Sequence, residues 1–189
     1  MNKLVKPTVE TKKAPAAPAL RREPRAFSFL KARRITTSPP EIDIGGKAIL
    51  AARVHECIPA LARALVDQSI AAHNERGRER GLRQPIQLSV LNRRRRAARA
   101  WVQSVVSAAV DAPTLHAVAT QWLPMLTGHG QDREVVVRTV RASIEFLRGA
   151  ITGVLFDEPA DNLLGHARAL HVLETVLSAH LAAAEEALR

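Results

Sequence analysis

Between positions 133 and 155 the apolar residues Val136, Val137, Val140, Ile144, Leu147, Ile151, Val154 and Leu155 recur at intervals of mostly three and four. That is the period that draws a single stripe down an α-helix, and Arg133, Arg138, Arg141, Glu145 and Arg148 fall mostly on the other side. A stripe this long has to be covered by other helices. The rest of the chain supplies them in the same currency of Ala, Leu and Val, residues that lose little side-chain entropy in a helix. Aromatic residues make up only 3% and there is no Tyr, although 47% of the chain is hydrophobic.

Asp132 is placed to cap the striped helix. After the turn Asp157-Glu158-Pro159, a last helix is expected over 160–188, with Leu163, Leu170, Leu177 and Ala184 at seven-residue intervals and Leu173 and Leu181 beside them. Asp111 followed by Pro113 marks a stop and a restart: a helix over 90–110 bearing Trp101, Val102, Val105, Val106 and Val110, then one bearing Leu115, Val118, Ala119, Trp122, Leu123 and Leu126. Pro124 shortens or bends the latter, and Gly128 to Gly130 ends it. A further helix is expected over 47–74 through Ile49, Leu50, Val54, Ile58, Leu61, Leu65 and Ile70. Pro59 either kinks it or sits in the first turn of a helix starting near Ile58.

These elements predict an all-α fold, a four- to five-helix antiparallel bundle with a disordered basic N-terminal arm. Residues 1–45, interrupted by six prolines from Pro7 to Pro40, form the arm, closed by Gly45-Gly46. A helix over 46–75 packs on the bundle or stands apart from it, 76–89 is a polar linker, and 90–189 is the bundle domain. At 189 residues the chain is sized for one core.

Net charge is +10, but it is unevenly placed. Residues 1–53 hold 12 Lys/Arg against 4 Asp/Glu, residues 54–100 hold 10 against 4, and residues 101–189 hold 6 against 10. The front is basic and the back acidic, so a polyanion is expected to meet the front. A single cysteine, Cys57, excludes an intramolecular disulfide and suits a reducing compartment. Prolines and lysines break up any signal-peptide core at the N-terminus, and no stretch reaches the ~20 apolar residues of a membrane span, so a cytoplasmic protein is expected. The Arg content and scarce acids of the arm also fit a mitochondrial-type transit peptide, though without a clear amphipathic helix.

Arg93, Arg94, Arg95 and Arg96, with Arg99 a turn later, are the sharpest local feature, because guanidinium groups fork onto successive phosphates. Lys31, Arg33 and Arg34 in the arm join them as candidate polyanion contacts. Interleaved aromatics for base stacking are missing apart from Trp101, and no nucleic-acid-binding motif is present, so any nucleic-acid contact is expected to be non-specific. Phe27, Phe29 and Leu30, between Arg25 and Lys31, form a candidate docking motif.

His166 and His171 are five apart and His55 and Cys57 two apart, neither the spacing that puts two metal ligands on one helical face. No metal or cofactor is expected. Acids lie at turns and termini, serines lack a nucleophile elbow, and Cys57 falls on an apolar helix face, so no catalytic residue is assigned. The run from Trp122 to Leu126 is either core or a docking edge.

Trp122, Gly130 with Asp132 before the long helix to Leu147-Arg148, Pro159 and the final helix together resemble the helical sensor domains of bacterial stressosome-type regulators. The resemblance covers roughly residues 100–189. The sequence departs from that pattern in its basic arm and in carrying no output domain after Arg189. It implies a dimeric regulatory module without catalysis and assigns no residue a role. The expectation is therefore a non-catalytic regulatory or protein-interaction module, self-associating through 135–155 and 160–188, whose basic arm docks on a protein partner or polyanion. A non-specific nucleic-acid-binding protein is the alternative.

Overall fold

In a computed structural model the described residues are 40–79, 86–123, 132–157 and 162–188. They are helical throughout, joined by turns, with no strand among them. The arm up to residue 39, with Phe27, Phe29, Leu30, Lys31, Arg33 and Arg34, lies outside the described residues.

The first helix, α1 (Ile44–Val54), starts earlier than the sequence predicts. Asp43 caps it, its carboxylate accepting from the N–H groups of Gly45 (3.2 Å) and Gly46 (3.0 Å). The two glycines are thus the first turn of a helix and not the end of an arm. Gly46 is buried because α1 presses on the last helix there: a Cβ at Gly46 would lie 2.5 Å from the Arg168 carbonyl oxygen. Arg168 in turn grips Asp43 with two bonds, Nε to Oδ2 at 2.7 Å and Nη2 to Oδ1 at 2.6 Å. Its guanidinium holds the Asp43 carboxyl down at about 2.

A 3₁₀ turn, His55–Cys57, separates α1 from α2 (Ile58–Glu79), and Pro59 sits in the first turn of α2, where its missing N–H has no helical partner to lose. α2 runs through Gly77, shortening the expected linker from both sides, since α3 (Leu88–Val106) begins at Leu88. One glycine costs a helix only about 1 kcal/mol, and Glu75, Arg76, Arg78 and Glu79 are good helix formers.

After α3 the chain closes a Schellman turn: the Ala108 N–H donates to Val105 O and the Ala109 N–H to Ser104 O. Ala108 holds φ at 48° there, the left-handed position usually left to Gly. Asp111 caps α4 (Ala112–Ala117) through the Thr114 N–H at 2.9 Å, with Pro113 in the first turn. A π-helical turn, Val118–Trp122, follows, in which the Leu123 N–H reaches back five residues to Val118 O. The wider turn stacks Leu123 over Val118, both buried. The Trp122 side chain and residues 124–126 lie outside what is described.

α5 (Arg133–Phe156) is capped by Asp132 as expected. α6 (Leu163–Ala187) is capped by Asn162, whose Oδ1 accepts from the Gly165 N–H at 2.8 Å. α6 lies at the centre, against α1, α5, the α4 segment and α3, while α2 packs on α3 and α5. Leu50 and Val54 of α1, Leu65 of α2, Trp101 of α3, Ile144 of α5 and Leu173 of α6 belong to one continuous core. The segment expected over 46–75 is therefore two helices, both integral to the bundle, and not a separate unit ahead of a domain at 90–189.

Candidate polyanion-binding face

The arginine run falls in the second and third turns of α3, a helix with no acidic residue in its length and no side chain capping its N-terminus. Successive residues point about 100° apart around a helix, so four consecutive arginines cannot share one face. Arg94 is the one turned inward. It stands at the head of the buried stripe Ala98, Trp101 and Val105, and burial lowers its pKa. Mostly covered, it adds little to the exposed basic surface of α3.

Arg93, Arg95, Arg96 and Arg99 are exposed. By the same angular step they fan over roughly 160° of helix surface centred opposite Arg94, along about 9 Å of axis. No carboxylate among the described residues pairs with any of them. The arginines of α5 contrast with this. Arg138 is bound to Glu134, Arg141 to Glu185 of α6 and Arg148 to Glu174 of α6. Apart from Arg133, the arginines of α5 and α6 are paired with carboxylates, whereas among the described residues the exposed arginines of α3 are not.

Trp101, the aromatic next to the run, is fully buried, so no base can stack on it. The histidines are scattered. His166 is buried edge-on against Phe156, with ring centroids 5.6 Å apart, while His171 is exposed on another side of α6. His55 is exposed and Cys57 half-buried at the α1–α2 joint. Among the described residues no group of three or more His, Cys, Asp or Glu is placed to hold a metal ion. No helix among them is long and apolar enough to cross a membrane.

Two residues escaped the sequence reading. The inward turn of Arg94 was signalled by its four-residue spacing from Ala98, which continues the apolar stripe upward. His180 was signalled the same way, standing three and four residues from Leu177 and Val176 on α6; it is buried, and neither ring nitrogen makes a well-formed hydrogen bond among the described residues. Compared with known proteins, the chain matches no family model, no curated protein sequence and no solved structure.

Proposed function

We propose that the chain is a non-catalytic helical interaction module that holds an anionic partner against the exposed arginine face of α3. The observation that carries this is the set of four exposed guanidiniums, Arg93, Arg95, Arg96 and Arg99, without a carboxylate among the described residues. A basic surface on a rigid helix offers a fixed spacing of charge, which a tail does not. A regulatory role follows only from the resemblance of residues 100–189 to sensor domains. The self-association expected of 135–155 and 160–188 loses its seam, because Leu177 and Ala184 are buried in the chain's own core. The reading therefore stands on α3 and needs no dimer.

An acidic protein surface is the partner favoured, since the burial of Trp101 removes the stacking platform that single-stranded nucleic acid uses. Duplex phosphate is the second reading, supported by the density of arginine on one helical face. Binding of polyglutamate and of a DNA duplex to the full chain, at about 50 and about 200 mM salt, tests both. Replacing Arg93, Arg95, Arg96 and Arg99 together by Gln is expected to weaken binding at least ~10-fold and to flatten its salt dependence. Arg138→Gln, on the neutralised α5 face, is expected to leave binding unchanged. Affinity indifferent to the four substitutions removes the proposal; preference for the duplex over polyglutamate selects the second reading.

A further inference from the structure

Six large apolar side chains are conspicuously exposed among the described residues, and four of them belong to one end of the bundle. Phe156 (47% exposed) ends α5, Leu163 (68%) and Leu164 (73%) open α6, and Ile44 (83%) opens α1. Two contacts bring these three helix ends together. Phe156 meets the ring of His166. Asp43, beside Ile44, is bound to Arg168, which stands one turn after Leu164 on the same face of α6. Scattered exposed leucines are ordinary on a protein surface; a group of four at one pole is a surface waiting for cover.

The margin of this pole is acidic. Glu41 and Asp157 are exposed there. Of the cations near this pole, Arg168 is already committed to Asp43, and Lys47 stands exposed one turn along α1. An apolar surface with an acidic margin fits a short apolar segment flanked by positive charge. The chain contains one: Phe27, Phe29 and Leu30, preceded by Arg25 and followed by Lys31, Arg33 and Arg34. It also lies within reach. The described residues begin at Pro40, four positions before Ile44, so the arm joins the bundle at this pole. The residues between Leu30 and Pro40 span at most about 30 Å when extended. A tether that short holds the segment at an effective concentration in the millimolar range, so a weak contact suffices to keep it in place.

We propose that residues 27–34 of the arm dock on the pole formed by Ile44, Phe156, Leu163 and Leu164 of the same chain. Phe27, Phe29 and Leu30 cover the exposed apolar side chains, and Lys31, Arg33 and Arg34 face Glu41 and Asp157. The arm's cations are then occupied in cis, and a polyanion that engages them has to displace the segment first. This surface is separate from the arginine face of α3 and does not depend on its assignment.

Limited trypsin digestion of the full chain, followed by mass spectrometry, tests the proposal. Cleavage after Lys31, Arg33 and Arg34 is expected to run at least ~5-fold slower than cleavage after Arg21 and Arg22. Leu163→Asp with Leu164→Asp, and separately Phe27→Asp with Phe29→Asp, are each expected to abolish that protection. The second pair leaves the bundle untouched, so loss of protection there cannot come from misfolding. In a Cys57→Ser background, Phe29→Cys with Leu164→Cys is expected to form a disulfide within a monomer. Equal cleavage rates in the wild type and both variants overturn the proposal. So does protection that appears only as protein concentration rises, or a disulfide found only in dimers, because a second copy would then be the occupant.

Discussion

His180 is the residue whose chemistry is most at odds with its surroundings. It lies in the core on α6, facing the turn after α3; neither ring nitrogen makes a well-formed hydrogen bond among the described residues, although the Ala109 carbonyl lies close to the ring. Burial drives its pKa down from 6.5 to about 4, against the smaller opposing pull of the Ala109 carbonyl and the Asp111 carboxylate. The native state thus holds the imidazole neutral. Above pH 6.5 neither state is protonated and nothing is lost. As pH falls from 6.5 towards 4, the unfolded chain takes up a proton that the native state refuses, and stability declines. At pH 5 this one residue costs about 2 kcal/mol. His180→Leu keeps the volume and removes both ring nitrogens. Urea unfolding at pH 7.5 and pH 5 is expected to show the wild type losing about 2 kcal/mol more than the variant between the two conditions. Parallel losses would mean that the ring is solvated or partnered. The sequence gives no local sign of a partner for His180, and its burial depends on α3 and α4 closing over α6. Only the stripe through Val176, Leu177, Ala183 and Ala184 hinted at it.

At the scale of elements, the packing of α1 on α6 shows why some local signals were read correctly and others not. Asp111, Pro113 and Asp132 act within a turn of where they stand, so their roles as caps and first-turn residues were legible. Gly45 and Gly46 carry the same letters whether they end an arm or admit a neighbouring backbone. What decides is Arg168, 125 positions from the capping Asp43, and no local pattern contains it. The seven-residue spacing on α6 marked the helix but not a single buried face, for a geometric reason. A straight helix drifts about 20° per heptad, so the line that starts at exposed Leu163 turns through half-buried Leu170 into the core at Leu177 and Ala184. The glycines supply a direct comparison. Gly46→Ala would force a methyl against the Arg168 carbonyl and is expected to cost about 1–3 kcal/mol. Gly149→Ala, with nothing within 4 Å of the new carbon on an exposed helix face, is expected to stabilise by about 0.5–1 kcal/mol. Denaturant midpoints of the two variants check the pair, and a neutral Gly46→Ala would show that α1 moves freely on α6.

For the whole molecule, the sequence located the helices and the gradient of charge, but left open whether the helix at 46–75 joins the bundle or stands apart from it. It set a helix over 46–75 before a linker and a domain, because the polar stretch after Asn74, with its two glycines, looks like a boundary when read along the chain. In space α1 makes its main contact with α6, the last element, and α2 with α3, so the two ends of the chain close one core. Leu50, Val54 and Ile58 are as buried as Leu173 and Leu177. Burying a side chain of this size is worth about 1.5–3 kcal/mol, and those on α1 and α2 are covered by α3, α5 and α6 rather than by each other. Detaching α1 and α2 would therefore strip the remaining helices of their cover, and the whole is expected to unfold in a single cooperative step. Cys57, half-buried at the α1–α2 joint, reports on one side of the expected boundary and the tryptophans on the other. Along a urea gradient, the reactivity of the Cys57 thiol and tryptophan fluorescence are expected to change at the same midpoint. If the thiol opens at lower urea than the fluorescence change, α1 and α2 form a unit that leaves first, and the alternative in which they stand apart from the bundle holds.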